Sequence, residues 1–187
     1  MVQRYKIVVE YDGTDLLGWQ KQLDGPSVQE FLEKAIDAFV QEKVEVYGAG
    51  RTDAGVHALA QVAHFDLNRE VDPFRLREAM NAHLRNMEAP AAVIEAAAAD
   101  NSFHARYSAV GRAYLYKITN RRAPLILEKN RSWPVAVPLD VEKMVQRLQR
   151  RLGLAPGRQV FARSSRFYFL PRRQMPGQVA AEDVGPS

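Results

Sequence analysis

Residues 48–65 read GAGRTDAGVHALAQVAHF, a glycine-rich turn that runs into an alternating strand. The three glycines of this turn leave space in which a ligand or a second backbone can approach closely. Arg51 and Asp53 stand between the glycines, and a carboxylate beside a cation keeps its negative charge. The turn therefore predicts an ionised carboxylate at an open site, which is the setting of a nucleophile or a base. The alternative is that Asp53 only caps the turn by bonding to its own backbone.

Outward from this turn, the sequence predicts strands and helices in alternation. Residues 27–30 read SVQE, a capping box, and apolar residues then recur at helical spacing as far as residue 39. Asp72-Pro73 begins a second helix, which runs to about residue 84. Strand patterns cover residues 4–11, 44–47, 56–65 and 91–98. This order of β, α, β, β, α, β predicts an α+β fold, with a ferredoxin-like, split βαβ unit and an antiparallel sheet.

The pattern changes in the second half of the chain. Residues 111–119 (GRAYLYKIT) alternate as a strand does, and Asp140 caps a helix predicted over residues 141–152, with Gly153 at its end. From residue 154 the periodicity gives way to scattered Arg, Pro and Gly. We expect an N-terminal α+β subdomain that carries the glycine turn over residues 1–107, the start of a C-terminal subdomain over 108–153, and a divergent, poorly ordered tail over 154–187.

Composition and charge bound the class of protein. The 187 residues are 47% hydrophobic and 26% charged, include no cysteine, and have no apolar run of membrane-spanning length. Without cysteines there are no disulfides, and without such an apolar run we expect no membrane partner. Because the N-terminus does not resemble a signal peptide, we expect a cytoplasmic protein. The net charge is +4, but residues 141–187 alone carry +6 and the remaining 140 residues carry −2. A nucleic-acid surface in those 140 residues must therefore come from local clustering of basic side chains.

The glycine turn does not match the common nucleotide-binding motifs, and the two histidines near it do not form a metal site. A dinucleotide fingerprint starting at Gly48 requires glycine where Asp53 stands, and no Gly-Lys-Ser/Thr follows as in a P-loop. His57 and His64 lie seven residues apart in a predicted strand, so they face opposite sides of a sheet and do not share one ion. We expect both histidines to be packing or hydrogen-bonding residues.

The string of residues 48–65 closely resembles the catalytic motif of the tRNA pseudouridine synthase A family. The resemblance covers roughly residues 1–145 and then fades. Three other segments carry it: Tyr11-Asp12-Gly13-Thr14 with Gly18-Trp19-Gln20 as the family's first-strand motif, Phe103-His104-Ala105-Arg106-Tyr107 as its RNA-contact segment, and Arg112-x-Tyr114-x-Tyr116 as its substrate-base segment.

The resemblance implies a function and a role for each of these residues. Members of the family isomerise uridine to pseudouridine at positions 38–40, in the anticodon stem-loop of tRNA, as homodimers without cofactor or metal. Asp53 is then the catalytic residue, Arg51 supports base flipping, and Tyr114 stacks on the target uracil. The implied RNA-binding residues are Phe103, His104, Ala105, Arg106 and Tyr107. Whether Asp53 attacks the base or the sugar carbon stays open.

The C-terminal third departs from the family pattern. Its Arg-, Pro- and Gly-rich composition does not resemble the second half that the family carries, so we expect an incomplete second half, truncated or frameshifted. Two alternatives to an active enzyme follow. One is a catalytically impaired RNA-binding remnant of the family. The other is a structural protein with neither activity, which the charge of −2 on the first 140 residues favours.

Overall fold

The computed structural model describes residues 2–151, 160–163 and 166–169. The chain divides into two units, Met1–Ala109 and Val110–Ser187. Both combine helices with a four-stranded sheet, and the sheet of the first unit is antiparallel throughout. The chain is therefore a mixed α/β protein, as the sequence predicts at this level.

The first unit has six elements in the predicted order. They are β1 (Gln3–Tyr11), α1 (Val28–Val40), β2 (Tyr47–Gly48), β3 (Ala58–Leu67), α2 (Pro73–Asn86) and β4 (Ala91–Ala99). The strands lie in the order β2-β3-β1-β4, so β3 lies between the two strands that α1 connects. Ile7 at the centre of β1 pairs with Ala63 of β3 on one side and Ala96 of β4 on the other. The alanine-rich pattern of residues 91–98 is confirmed as a strand.

Both helices begin where the sequence predicts. The Ser27 hydroxyl accepts a hydrogen bond from the Glu30 amide at 3.3 Å, which caps α1. The Asp72 carboxylate accepts one from the Arg75 amide at 2.9 Å, and Pro73 occupies the first turn of α2. By contrast, β2 is shorter than the strand predicted over residues 44–47, since its ladder with β3 is confined to Tyr47 and Gly48.

The two helices cover one face of the first sheet. Buried residues from both helices and from β1 and β3 form a single core, which includes Tyr5, Ile7, Val9, Leu32, Ile36, Phe65, Leu67, Leu76, Met80 and Leu84. Alternate residues of the same strands point to the opposite face. There, Arg4 pairs across the sheet with Asp66, and His64 has Lys6 on one side and Tyr47 on the other.

The second unit contains four short strands and a helix. They are β5 (Ile118–Asn120), β6 (Trp133–Val135), α3 (Val141–Arg151), β7 (Val160–Arg163) and β8 (Arg166–Phe169), with the strands in the order β6-β5-β8-β7. Asp140 caps α3 by accepting a hydrogen bond from the Lys143 amide at 3.0 Å, as predicted. The predicted end of that helix, at residues 152 and 153, lies outside the described residues.

Two predictions for this unit need correction. The strand predicted over residues 111–119 is wrong for 111–117, because the ladders of the described residues begin only at Ile118, which pairs with β6 and β8. Alternation alone does not provide the partner strand that a ladder needs. The tail predicted from residue 154 contains β7 and β8, whose β-branched and aromatic residues pair as antiparallel strands. The rest of that tail lies outside the described residues.

Candidate active site

Asp53 lies in the loop between β2 and β3, which we call the aspartate loop (residues 49–57). Its backbone carbonyl accepts a hydrogen bond from the Val56 amide at 3.2 Å, closing a four-residue turn. Gly55 takes the third position with φ of 77°, which a type II turn requires and which favours glycine. The Asp53 side chain is exposed, and among the described residues it accepts no hydrogen bond. It is therefore not the turn-capping aspartate of the alternative interpretation.

The end of β1 and the residues after it hold the aspartate loop in place. The Trp19 amide donates to the Thr52 carbonyl at 3.0 Å, and the Gly55 amide donates to the Leu16 carbonyl at 3.3 Å. The Tyr11 hydroxyl shares a hydrogen bond with Thr52 Oγ1 at 2.9 Å. Burial raises the pKa of Tyr11, so its hydroxyl stays protonated at neutral pH. These contacts fix the backbone on both sides of Asp53.

Glycines allow these two stretches of chain to approach closely. Gly18 has φ of 102°, and a Cβ at this position would overlap the Thr52 carbonyl oxygen. A Cβ on Gly48 would lie 2.5 Å from the Trp19 indole, which fills the space beside this glycine. Gly48 therefore makes room for a side chain of the protein, and not for the ligand or the second backbone that the sequence predicts. Gly55 differs, because a Cβ there would meet no atom within 4 Å.

Arg51 is the second exposed charge of the aspartate loop. The Gln61 side-chain amide donates to the Gly50 carbonyl at 2.5 Å, and this fixes the backbone just before Arg51. Among the described residues, Arg51 and Asp53 form no ion pair with each other or with a third residue. This fits the small energy that an exposed ion pair gains in water. Both charges face solvent, where a substrate can reach them.

His57, the last residue of the aspartate loop, lies beside Asp12, which follows β1. The Asp12 carboxylate accepts hydrogen bonds from the amide of Thr14 at 3.0 Å and from its hydroxyl at 2.6 Å. His57 Nδ1 lies 3.0 Å from the same carboxylate oxygen and 3.1 Å from the Gly13 amide nitrogen. His57 is therefore a hydrogen-bonding residue, as the sequence predicts, and it ties the end of the aspartate loop to the end of β1.

The FHARY segment (residues 103–107) follows β4 near the end of the first unit. Arg4 of β1 forms two hydrogen bonds of 2.7 Å with the two carboxylate oxygens of Asp66. The same guanidinium donates to the carbonyls of Asn101 at 2.7 Å and Phe103 at 2.8 Å. The hydrogen bond from Arg4 lowers the pKa of Asp66, so the ion pair persists at neutral pH. Arg4 thus anchors the start of the segment to the open face of the sheet.

Aromatic rings surround the middle of the segment. His64 is buried, stacks on Tyr47 with ring centroids 5.2 Å apart, and lies 4.6 Å from the ring of His104. His104 in turn lies 4.4 Å from the ring of Tyr107. Tyr107 is 79% exposed and Tyr47 is 43% exposed. Tyr107 of the segment and Tyr47 of β2 therefore expose aromatic rings to solvent, whereas the His64 ring on which Tyr47 stacks is buried. Arg106 is exposed beside them.

Tyr114 lies in the second unit. It is 56% exposed and belongs to residues 111–117, which are outside the strands of the described part of the chain. The structure thus brings Arg51 and Asp53 together in one loop and places the FHARY segment next to β2, the strand that leads into that loop. The role predicted for Tyr114 stays a prediction.

Residues 7–108 match the family model described as tRNA pseudouridine synthase. The chain belongs to this synthase family. The matched range contains Arg51, Asp53 and the whole FHARY segment, and it ends before Tyr114.

Individual relatives from the synthase family agree with this assignment. Proteins named tRNA pseudouridine synthase A from Ehrlichia ruminantium (strain Welgevonden), Paramagnetospirillum magneticum and Nitrobacter winogradskyi are 55%, 52% and 54% identical to this chain. The similarity covers 76% of this chain for the first and 80% for the other two. The chain spans 58% of the length of each of these relatives.

Sequence reasoning missed several residues that build the candidate site. Arg4 gives no local signal, because its partner Asp66 lies 62 positions away. Tyr11 and Gly18 fall in a stretch singled out only by its family resemblance, and their contacts to Thr52 cannot be read from it. His64 was expected only to pack or to hydrogen-bond. The strand register would have identified Arg4 and His64 as supports, because both lie on the face of the sheet that the FHARY segment covers.

Two features of the described residues concern membranes and metals. No helix in this part of the chain is long and apolar enough to cross a bilayer. Within the same residues, no three His, Cys, Asp or Glu side chains are grouped as a bound metal ion would require. That the synthase family works without metal or cofactor stays a prediction for this chain.

Proposed function

We propose that this chain carries the catalytic loop of a tRNA pseudouridine synthase and isomerises uridine to pseudouridine in tRNA. The reaction breaks the bond between uracil N1 and the sugar C1′, turns the base, and joins C5 to C1′. N1 gains a proton and C5 loses one, so neither redox chemistry nor phosphate energy is needed. The observation that carries the proposal is the Asp53 side chain, exposed and without a hydrogen-bond partner among the described residues, on a backbone fixed at Thr52, Gly55 and Val56.

This arrangement suits covalent catalysis by a carboxylate. A nucleophile must be held near the reacting carbon without losing its charge or its lone pairs to internal partners. Main-chain hydrogen bonds hold the aspartate loop, so positioning Asp53 does not occupy its carboxylate. Asp53 is then the nucleophile, at either the base or the sugar carbon.

The proposed roles of Arg51 and Tyr114 concern the target base. A uridine in an RNA stem must leave its stack to reach a carboxylate, and a cation that stacks and holds phosphate can brace the gap. Arg51 is exposed two residues before Asp53, which supports this role. Tyr114 stacks on the flipped uracil, a contact for which its exposed ring is suited.

The finer features of the family are proposed on the same resemblance. The substrate is the anticodon stem-loop of tRNA, contacted by the FHARY segment, and the working enzyme is a homodimer in the cytoplasm. The strand order β2-β3-β1-β4, with α1 and α2 as connections, supports a ferredoxin-like, split βαβ classification of the first unit. Light scattering on the purified chain tests the dimer.

Release of tritium from tRNA labelled at uridine C5 tests the reaction directly. We expect release by the native chain and a loss of about a thousandfold or more in Asp53→Ala, because the nucleophile is removed. Asp24→Ala is the matched control, since Asp24 is an exposed loop aspartate outside the aspartate loop. Equal release by the native chain and Asp53→Ala would overturn the proposal.

Binding measured in parallel separates the alternatives. The enzyme and the RNA-binding remnant both predict tRNA binding that weakens with added salt. Salt-dependent binding without tritium release would support the remnant. Failure to bind tRNA even at low salt would contradict both and favour a structural protein.

A further inference from the structure

His64 occupies an unusual position for a histidine on a sheet. It is buried on the open face of β3, between Lys6 of β1 and Tyr47 of β2. Its Nδ1 accepts a hydrogen bond from the Ala105 amide at 3.2 Å. Because Nδ1 is the acceptor, the ring proton is on Nε2 and the imidazole is neutral.

We propose that His64 is a positioning residue that holds the FHARY segment against the sheet through its neutral imidazole and releases it on protonation. The inference rests on the proposed function only where it concerns tRNA. Arg4 fixes the carbonyl of Phe103, at the start of the segment, and His64 fixes the amide of Ala105, at its centre. The rings of His104 and Phe103 also rest on the imidazole, at 4.6 and 6.0 Å.

Protonation removes this contact for a geometric reason. A proton on Nδ1 would point at the Ala105 amide, so two donors would face each other. Ala105 is itself buried, so water does not readily replace the lost acceptor. The segment must then move, and it carries the half-buried ring of His104 and the exposed ring of Tyr107 with it.

The surroundings compensate a positive charge on the imidazole only in part. The charged and titratable groups around the ring are Arg4 and Lys6 on β1, Tyr47 on β2, Asp66 on β3 and His104 in the FHARY segment. Asp66 is the one acid among them, and both its carboxylate oxygens are already bonded to Arg4. Burial, followed by the charges of His104 and Arg4, lowers the pKa of His64 below 6.5.

The sign of the pH dependence follows from this direction. A group whose pKa is lower in the folded than in the unfolded chain stabilises the fold above the unfolded value, here 6.5. The contribution is lost as the pH falls from there through the folded value. The segment is therefore held at neutral pH and released in acid. This is opposite to the ordinary effect of acid on RNA binding, in which protonated histidines add positive charge and tighten the complex.

The test compares four proteins between about pH 8 and about pH 5, across the range in which histidines titrate. His64→Asn places an amide oxygen near the position of Nδ1 and does not titrate. His64→Phe keeps a ring and removes the acceptor. His83→Asn, the same change on α2, is the control for loss of one histidine. Two readouts are the hydrogen-exchange protection of the Ala105 amide and the Kd for tRNA at fixed salt.

We expect the native chain and His83→Asn to lose Ala105 protection on acidification, with tRNA binding weakened by about five- to tenfold. His64→Asn should bind tRNA as the native chain does at neutral pH and should not weaken in acid. His64→Phe should bind more weakly than the native chain at neutral pH. Two results would overturn the inference. One is tRNA binding by His64→Asn that weakens in acid as much as that of the native chain. The other is protection of the native Ala105 amide that does not depend on pH. If the native chain binds no tRNA, the proposed function fails, and Ala105 protection still decides this inference.

Discussion

The aspartate loop and the FHARY segment both expose functional side chains, but different parts of the chain hold them. The aspartate loop is held mainly by main-chain hydrogen bonds to the residues that follow β1. The Trp19 and Gly55 amides donate these bonds, and Gly18 allows the two stretches of chain to lie close together. The FHARY segment is held by side chains, with Arg4 at its start and His64 at its centre.

This difference determines what each region responds to. Main-chain hydrogen bonds do not titrate, so those at Thr52 and Gly55 hold the backbone on both sides of Asp53 over the pH range in which histidines change charge. The supports of the FHARY segment are ionisable, and each of them can be removed by one substitution. Acid should therefore disturb the FHARY segment before it disturbs the backbone on either side of Asp53.

Gly18→Ala should have the largest effect and should disturb the aspartate loop. At φ of 102° the added methyl group costs about 1–3 kcal/mol of backbone strain. Its overlap with the Thr52 carbonyl adds about 1–3 kcal/mol more, because backbone cannot easily move away. Urea unfolding measures the loss, and tritium release should fall with it.

Gly55→Ala is the matched control for Gly18→Ala. Gly55 also has positive φ, at 77°, but a Cβ there meets nothing within 4 Å. We expect only the strain, about 1–3 kcal/mol. Equal losses of stability in the two variants would show that close approach at Gly18 does not hold the loop.

Arg4→Met should have the next largest effect and should disturb the FHARY segment alone. It removes four hydrogen bonds and leaves the Asp66 carboxylate without its main partner. Because the pair is partly exposed, we expect a loss of about 1–2 kcal/mol, with lower amide protection in residues 103–107. Protection of the Gly55 amide should not change.

Arg77→Met tests whether any lost arginine has this effect. Arg77 pairs with Glu78 on the surface of α2, and removing an exposed pair costs within about 0.5 kcal/mol. If Arg77→Met and Arg4→Met lowered stability equally, the anchoring role of Arg4 would be rejected.

Tyr11→Phe should have the smallest effect. It removes the one side-chain hydrogen bond between Tyr11 and Thr52 while the buried ring stays, so we expect a loss of about 0.5–1.5 kcal/mol. Tritium release should fall severalfold, because Thr52 precedes the nucleophile. Tyr47→Phe, which loses an exposed bond to Glu45, should leave stability unchanged. An active and fully stable Tyr11→Phe would show that the main-chain contacts are sufficient by themselves.

Local signals were enough to predict most elements of the first unit. Ser27 and Asp72 each provide the side-chain acceptor that starts a helix, and the alternation of residues 56–65 corresponds to β3 from Ala58 onward. These signals lie within a few residues of the structure they specify. The same holds for the turn after Asp53, whose glycine requirement is local.

Contacts distant in sequence could not be predicted in this way. The pattern of residues 111–117 predicts which side chains share a face but not whether a partner strand is present to form a ladder. The function of Gly48 depends on Trp19, nearly thirty positions earlier, and the role of His64 depends on Ala105, 41 positions later. The candidate residues of the site were therefore predictable, whereas their supports were not.

The packing of Trp19 against Gly48 also gives the protein an optical label. Trp19 is 3% exposed and lies beside the aspartate loop, whereas the other tryptophan, Trp133, is 66% exposed in the second unit. A buried indole emits at shorter wavelength than a hydrated one, so the blue edge of the fluorescence spectrum reports on the surroundings of Asp53 and the red edge on the second unit. Loosening of the loop is then visible in the native chain, without an attached dye.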